Sequence, residues 1–472
     1  MNQPLSRRTF LQRAAGISAG IGLNVLPLHA DSVKTFELSP KPGRAQLVPE
    51  QYGDTAVWCF NDQVPGPELR VKQGDRVRIR VHNRLDEQTT VHWHGMRVPN
   101  SMDGVPYLTQ TPINAGQQFE YEFDALDAGT FWYHPHQQSS VQVGRGLYGA
   151  LIVEEATPNP FDRDLTWVLD DWRLARSAQI VDDFGHGHDL SHSGRIGNTV
   201  TVNGKLQEIF DVHAGERIRL RLINAANARI FALRFGGHDP KIIAMDGHPV
   251  TPHSPQDSRI VIGPGMRVDL VLDMSADPDQ RHTITDEYYP NQAYALTDLV
   301  YSNSPVRDRP ADLKIELPPN PLAEPELNAG IPHEIAFEGG AMGSMGGAMM
   351  DGAWQDIRSM AHDGKFWAIN GVAATGHIMD PMLNLERDRT YILTLKNRTA
   401  WPHPMHLHGH SFRVLSRNGE PTAYRQWQDT VLLESEDQVE IAFVADNPGD
   451  WMFHCHILEH QASGMMGVIR VT

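Results

Sequence analysis

Cysteine is almost missing from this sequence: its 472 residues include two, Cys59 and Cys455. That leaves room for one disulfide at most. Even that pairing is not expected, because Cys59 sits in the strand-like stretch AVWCFN, where a buried free thiol is the ordinary state. Long apolar runs are missing too. After the N-terminal segment no apolar run reaches roughly 18 residues, so no spanning helix is expected in the mature chain. Positive charge is in deficit: 41 Lys and Arg against 58 Asp and Glu give a net −17. That sign argues against nucleic acid as a partner.

Glycine (40) and proline (32) are plentiful, and the length suits about three domains at roughly 150 residues each. The chain opens MNQPLSRRTFLQRAAGISAGIGLNVLPLHADS. Ser6-Arg7-Arg8-Thr9-Phe10-Leu11 resembles a twin-arginine export signal, and a moderately apolar stretch then leads to a small residue, Ala30. Residues 1–30 are therefore expected to be a removable leader, the twin-arginine machinery a partner, and the periplasm the destination. That route carries folded proteins, which suits a chain that must acquire a cofactor before it leaves the cytoplasm.

Three passages resemble one another: GDRVRIRVHNRLDEQTTVHWHG from Gly74, GERIRLRLINAANARIFALRFGGH from Gly215 and RDRTYILTLKNRTAWPHPMHLHGH from Arg387. Each is a turn, an alternating strand ending in Asn, a short loop and a second strand. Later passages correspond as well: GQQFEYEFDALDAGTFWYHPH, GMRVDLVLDMSAD and DQVEIAFVADNPGDWMFHCH. Their period-two alternation is that of half-buried strands. The fold expected is all-β: three copies of a Greek-key β-sandwich, at 31–157, 158–303 and 331–472, with a proline-rich linker at 304–330. The first and third copies end in histidine clusters and the second does not.

Those clusters are His92 with His94, His134 with His136, His406 with His408, and His454 with His456. Residues two apart on a strand face one side, so the eight imidazoles form four converging pairs. Cys455, between His454 and His456, must point the other way. By the same parity His403 lies opposite His406, an argument that Pro404 weakens. A second site then gathers His403, Cys455, His460 and Met465. Two imidazoles, a thiolate and a thioether suit a blue-copper centre, whereas zinc makes little use of a thioether. The all-imidazole site on its own leaves copper, zinc, iron or nickel open; the adjoining thiolate site selects copper. Cys455 is then a covalent wire between two metal sites.

With these residues in hand, the sequence resembles the three-domain bacterial multicopper oxidases over essentially the whole mature chain, and is similar to the laccase-like branch that includes the manganese-oxidation-associated CumA proteins. The resemblance implies three cupredoxin-like domains and four copper ions. His403, Cys455, His460 and Met465 would hold one type 1 ion. His92 and His406 would hold one type 2 ion. His94, His134, His136, His408, His454 and His456 would hold two type 3 ions. It also implies a periplasmic oxidase that takes single electrons from a small phenol-type reductant and passes four to O2. A metallo-oxidase for Cu(I) or Mn(II) is the alternative. A non-catalytic copper carrier or a cell-division structural protein fits the complete ligand set less well. His410 falls outside that set.

Three features stay open. The stretch GGAMGSMGGAMMDGAWQDIRSM holds Met342, Met345, Met349, Met350 and Met360, a soft cuprous donor set or a loosely packed lid. Relatives that oxidise Cu(I) carry an acid and a methionine just before the first type 1 histidine, where this chain has Trp401 and Pro402. His186, His188 and His192 in DDFGHGHDLSHSG offer an accessory metal site or a solvated loop. Reducing O2 to water consumes protons that neutral imidazoles do not supply. Asp103, nine residues after His94, matches an acid of the family and is the expected source; the plain alternative is an Asp-Gly turn with Gly104. A second acid of many relatives is Gln461 here.

Overall fold

The alternation RVRIRVH dictates the strand Arg76–His82: Val77, Ile79 and Val81 are buried, while the arginines stay half-buried. Across the ladder, Arg76 pairs with Glu122 and Asp124, and Arg78 with Glu122. One face of the sheet is apolar core and the other is ion-paired surface. The computed structural model describes residues 33–157, 161–207, 209–310, 314–376 and 380–472. The expected leader at 1–30 and the expected domain junction at 158 lie outside the described residues.

Two main sheets pack in each repeat. In the first, strands Lys34–Leu38, Arg76–His82 and Gln118–Asp124 face a sheet ordered Gly66–Lys72, Gly149–Glu154, Gly129–His134, His92–His94. Between them lies a core that includes Trp93, Tyr121, Phe123 and Tyr133. The middle repeat has a six-stranded and a five-stranded sheet, and the third a seven-stranded and a five-stranded sheet. The fold is all-β with cupredoxin-like sandwiches. No helix of the described residues is long and apolar enough to cross a membrane.

One strand departs from expectation. RIRLRLIN, Arg217–Asn224, alternates in sequence like its half-buried counterpart in the first repeat, yet every residue is buried. Its arginine face is covered by the first repeat. Arg221 Nη1 donates to Thr130 Oγ1 (2.9 Å), Thr130 Oγ1 donates to Asp269 Oδ1 (2.6 Å), and Arg219 Nη2 donates to Asp269 Oδ2 (2.6 Å). Buried guanidinium groups persist because carboxylates meet them.

The linker is also anchored. Asn320 exchanges two hydrogen bonds with the backbone of Ala128, both 2.8 Å. Registers then set the sites: His92 stands opposite His134 in the first repeat, and in the third His406 stands opposite His454 and Met405 opposite Cys455.

Candidate metal centres

The strand His403–Leu407 lies beside Gly449–Cys455, so side chains of alternate parity leave the pair on opposite faces. On one face Cys455 Sγ lies 3.4 Å from His403 Nδ1 and 3.7 Å from His460 Nδ1, and those nitrogens are 3.1 Å apart. All three residues and Met465 are buried. The strand places His403 there despite Pro404, which sits within the strand opposite Leu432.

Each imidazole is held from its far side. His460 Nε2 donates to the carbonyl of His192 at 2.6 Å. The Thr399 hydroxyl donates to Asn397 Oδ1 and so accepts from His403 Nε2, 2.8 Å away. Both rings therefore turn an unprotonated Nδ1 toward the sulfur. Burial pushes His460 down to about 3 and His403 well down, which favours the neutral imidazole that a metal needs. Burial pushes the Cys455 thiol up, as expected of a sulfur that gives up its proton only to a strong Lewis acid.

On the other face the eight remaining histidines converge. Ring centroids within the four pairs are 5.7 Å (His92, His94), 6.2 Å (His134, His136), 4.8 Å (His406, His408) and 5.7 Å (His454, His456). Rings from the first and third repeats interleave: His92 stacks on His408 at 3.9 Å, and His94 on His406 at 3.8 Å. All eight are buried.

Donor chemistry tests whether metal belongs here. His92 Nε2, His94 Nδ1, His134 Nε2, His406 Nε2 and both nitrogens of His456 have no hydrogen-bond partner among the described residues. An unpaired buried polar atom costs about 1–3 kcal/mol, so a cluster of them marks a missing partner. The opposite nitrogens are fixed: His92 Nδ1 by the Asp103 carbonyl (2.8 Å), His406 Nδ1 by the Asp429 carbonyl (2.9 Å), His134 Nδ1 by the Pro135 carbonyl (3.0 Å). His454 Nδ1 donates to the Cys455 carbonyl (2.8 Å), so its Nε2 lone pair faces His408 Nε2 at 3.1 Å. Two lone pairs at that range repel unless a cation joins them. The residues fit copper.

Multicopper oxidase family models match residues 43–158, 163–304 and 351–472. The crystal structure of a multi-copper oxidase from Pseudomonas thermotolerans is 34% identical, with a TM-score of 0.81 over 93% of this chain and 99% of that one. This chain belongs to the multicopper oxidases. A metallo-oxidase of Campylobacter jejuni is 26% identical (TM-score 0.76; 93% of this chain, 91% of that one). A laccase-like enzyme of Ochrobactrum sp. is also 26% identical (TM-score 0.76; 93% and 97%). Membership brings type 1, type 2 and type 3 copper.

Behind the oxidase's histidines stands a buried scaffold that the sequence motifs do not mark. Asp429 Oδ1 lies 3.2 Å from His94 Nε2, and Arg267 grips both Asp429 oxygens at 2.7 and 2.6 Å. Burial works to raise the Asp429 carboxyl, but the Arg267 guanidinium holds it well below the usual range. Asp246 accepts from the backbone of Arg267, Asp429 and Thr430; burial and the nearby Asp429 push it up to about 7. Arg267 and Asp246 come from the middle repeat. That repeat also supplies Gly265, where a Cβ would lie 2.8 Å from His456 and 3.0 Å from His94. In the sequence Gly265 and Arg267 lie in GMRVDL, which reads only as a strand of the repeat without histidine clusters.

Asp103 is buried, with Oδ2 2.9 Å from His408 Nδ1 and Oδ1 3.2 Å from His92 Nδ1. The chain bends at Asp103 as well: the next residue, Gly104, has φ +85°, and a Cβ there would strike the Val91 carbonyl at 1.9 Å. Gln461 is buried, its amide 3.5 Å from His136 Nδ1. His410 accepts from the backbone N–H of Asn447 at 3.3 Å and serves the loop rather than the cluster. The methionine stretch is a hairpin, Gly347–Met350 with Ala353–Asp356, followed by the helix Ile357–His362. Met350 and Met360 pack with Ala348, Ala368 and Ala373, while Met342 and Met349 are exposed.

Proposed function

We propose that this multicopper oxidase works in the periplasm after export by the twin-arginine route, taking single electrons from small phenol-type reductants and delivering four to O2. In this reading His403, Cys455, His460 and Met465 hold type 1 copper, His92 and His406 type 2, and His94, His134, His136, His408, His454 and His456 the type 3 pair. Copper, when bound, supplies the one-electron steps that protein side chains lack. The observation that carries the reading is the continuity of His454, Cys455 and His456: Cys455 Sγ stands against His403 and His460 on one face, while its two neighbours turn into the imidazole cluster on the other. The three boundaries proposed for the repeats remain 31–157, 158–303 and 331–472, with 304–330 as linker.

The side chains have separate tasks. Thr399 and the His192 carbonyl orient the imidazoles beside Cys455. Asp103 orients His408 and His92 and holds protons for the oxygen chemistry at Oδ1, which stands 3.2 Å from His92 Nδ1 and makes no hydrogen bond among the described residues. An organic reductant is favoured over a metal ion because Trp401 and Pro402 precede His403 and because Met350 and Met360 are spent on packing. The Ochrobactrum relative is described as active on lignin model compounds and lignosulfonate, which supports the same reading. Copper content with visible and EPR spectra tests the cofactor. Steady-state rates with a phenol, Cu(I) and Mn(II) on one preparation test the substrate: the phenol should be fastest, and a dominant Cu(I) or Mn(II) rate would make this a metallo-oxidase.

A further inference from the structure

The side chains of the histidine loop DDFGHGHDLSHSG have no part in that reading, yet the loop lies directly on the Cys455 site through the His192 carbonyl. The short helix Gly187–Ser191 and its C-cap His192 carry His188 and His192 four residues apart, and their rings stack at 4.0 Å and 10°. His192 Nδ1 donates to the His188 carbonyl at 3.1 Å, which leaves its Nε2 lone pair unprotonated. The His188 ring is exposed and has no hydrogen-bond partner among the described residues.

This loop is not a loose solvated segment. Asp189 is buried against Arg173 at 2.6 and 3.0 Å, and Arg173 also holds Asp183. Successive carbonyls bond to the third repeat: Leu190 accepts from Trp367 Nε1 (2.6 Å), Ser191 from Ala341 N (2.7 Å) and His192 from His460 Nε2 (2.6 Å). The two imidazoles are thus presented on a fixed support. His188 sits in the helix and His192 at its non-helical C-cap; with one ring turned out of the stack, two imidazoles this close can reach one transition-metal ion, and imidazole is a good ligand for zinc, nickel and copper.

We propose that His188 and His192 form a two-imidazole site for one borderline divalent transition-metal cation (Zn(II), Ni(II) or Cu(II)), separate from the resident coppers, and that its occupancy is felt at His460. His192 is the link: its side chain binds the cation while its carbonyl holds His460 Nε2. A cation there places positive charge beside the type 1 site, which favours the reduced, less positive state.

Zn(II) is redox-silent and serves as the probe, titrated by calorimetry into the copper-loaded full chain and into His188→Gln and His192→Gln. Both variants keep the His192 carbonyl. Copper content is measured before and after, so that exchange at the resident sites is not counted. The wild type should bind one equivalent, each variant should lose that isotherm, and zinc should raise the type 1 potential in the wild type alone. Absence of binding to the wild type, unchanged binding in both variants, or bound zinc that leaves the potential unmoved would each overturn the proposal. The calorimetric arm does not depend on the type 1 assignment. A protein that lacks the blue absorption would defeat that assignment and leave the zinc result standing on its own.

Discussion

Asp103 grips two histidines of two repeats at once: its Oδ2 stands 2.9 Å from His408 Nδ1, and its backbone carbonyl 2.8 Å from His92 Nδ1. The carbonyl grip survives any side-chain change, so Asp103→Asn isolates the carboxylate. We expect reoxidation by O2 to slow by about 10²-fold or more, the range for a lost general acid, with type 1 reduction by substrate unaffected. Adding Gln461→Glu puts a carboxylate near His136 and should restore part of the rate. Stopped-flow reoxidation at the wild-type rate from pH 5 to 8 would leave Asp103 a turn residue only.

Cys455→Ser and His406→Ala separate the two centres. A hydroxyl does not replace the thiolate, so Cys455→Ser should lose both the intense blue absorption and oxidase activity. His406→Ala leaves the His403, Cys455 and His460 set whole. It should stay blue, accept electrons and fail to reoxidise in air. A blue Cys455→Ser protein, or an air-reoxidised His406→Ala protein, contradicts the assignment.

Arg267 is wholly buried between Asp429 and Asp246. Removing one partner of such a group typically costs about 3–5 kcal/mol, because the other charges stay buried without compensation. Arg267→Met should therefore lower the melting temperature sharply. The double variant Arg267→Met with Asp429→Asn should melt above the single one. If the double variant melts lower, the loss comes from contacts rather than from stranded charge.

Asp246 gives a pH signature. Burial and Asp429 raise it to about 7 in the folded chain, against about 4 when unfolded. Between those values the folded state holds the extra proton, so this residue's contribution is fully present below about pH 4 and is lost as pH rises toward about 7. Melting curves of wild type and Asp246→Asn, compared at each pH, should show the wild type losing ground across that window. A difference that is constant with pH would refute the elevated value.

Much of the site was legible because its logic is local. The i, i+2 histidine pairs follow strand parity, and that parity carries over even where the strand ends between partners, as after His134, Leu407 and Cys455. The middle repeat's role was not legible. Arg267 reaches Asp429 across 162 residues, and Gly265 matters through what a methyl would strike. Such contacts are set by how repeats dock, and no spacing in the sequence encodes them. The same holds for His192: its backbone carbonyl, not its imidazole, touches His460. The burial of Arg219 and Arg221 escaped for the same reason, since RIRLRL reads as a solvent-facing alternation until a second repeat covers it.

The stacking of His92 on His408 and of His94 on His406 has a thermodynamic consequence. Neither repeat owns the whole imidazole cluster; it exists only while the first and third are pressed together. Any ion bound there favours the docked arrangement by mass action, in proportion to how far its concentration exceeds its dissociation constant. Copper is then a rivet as well as a reagent. Stripping it should loosen the seam between the repeats before it loosens either sandwich, so limited proteolysis of the apoprotein should cut first at loops along that seam.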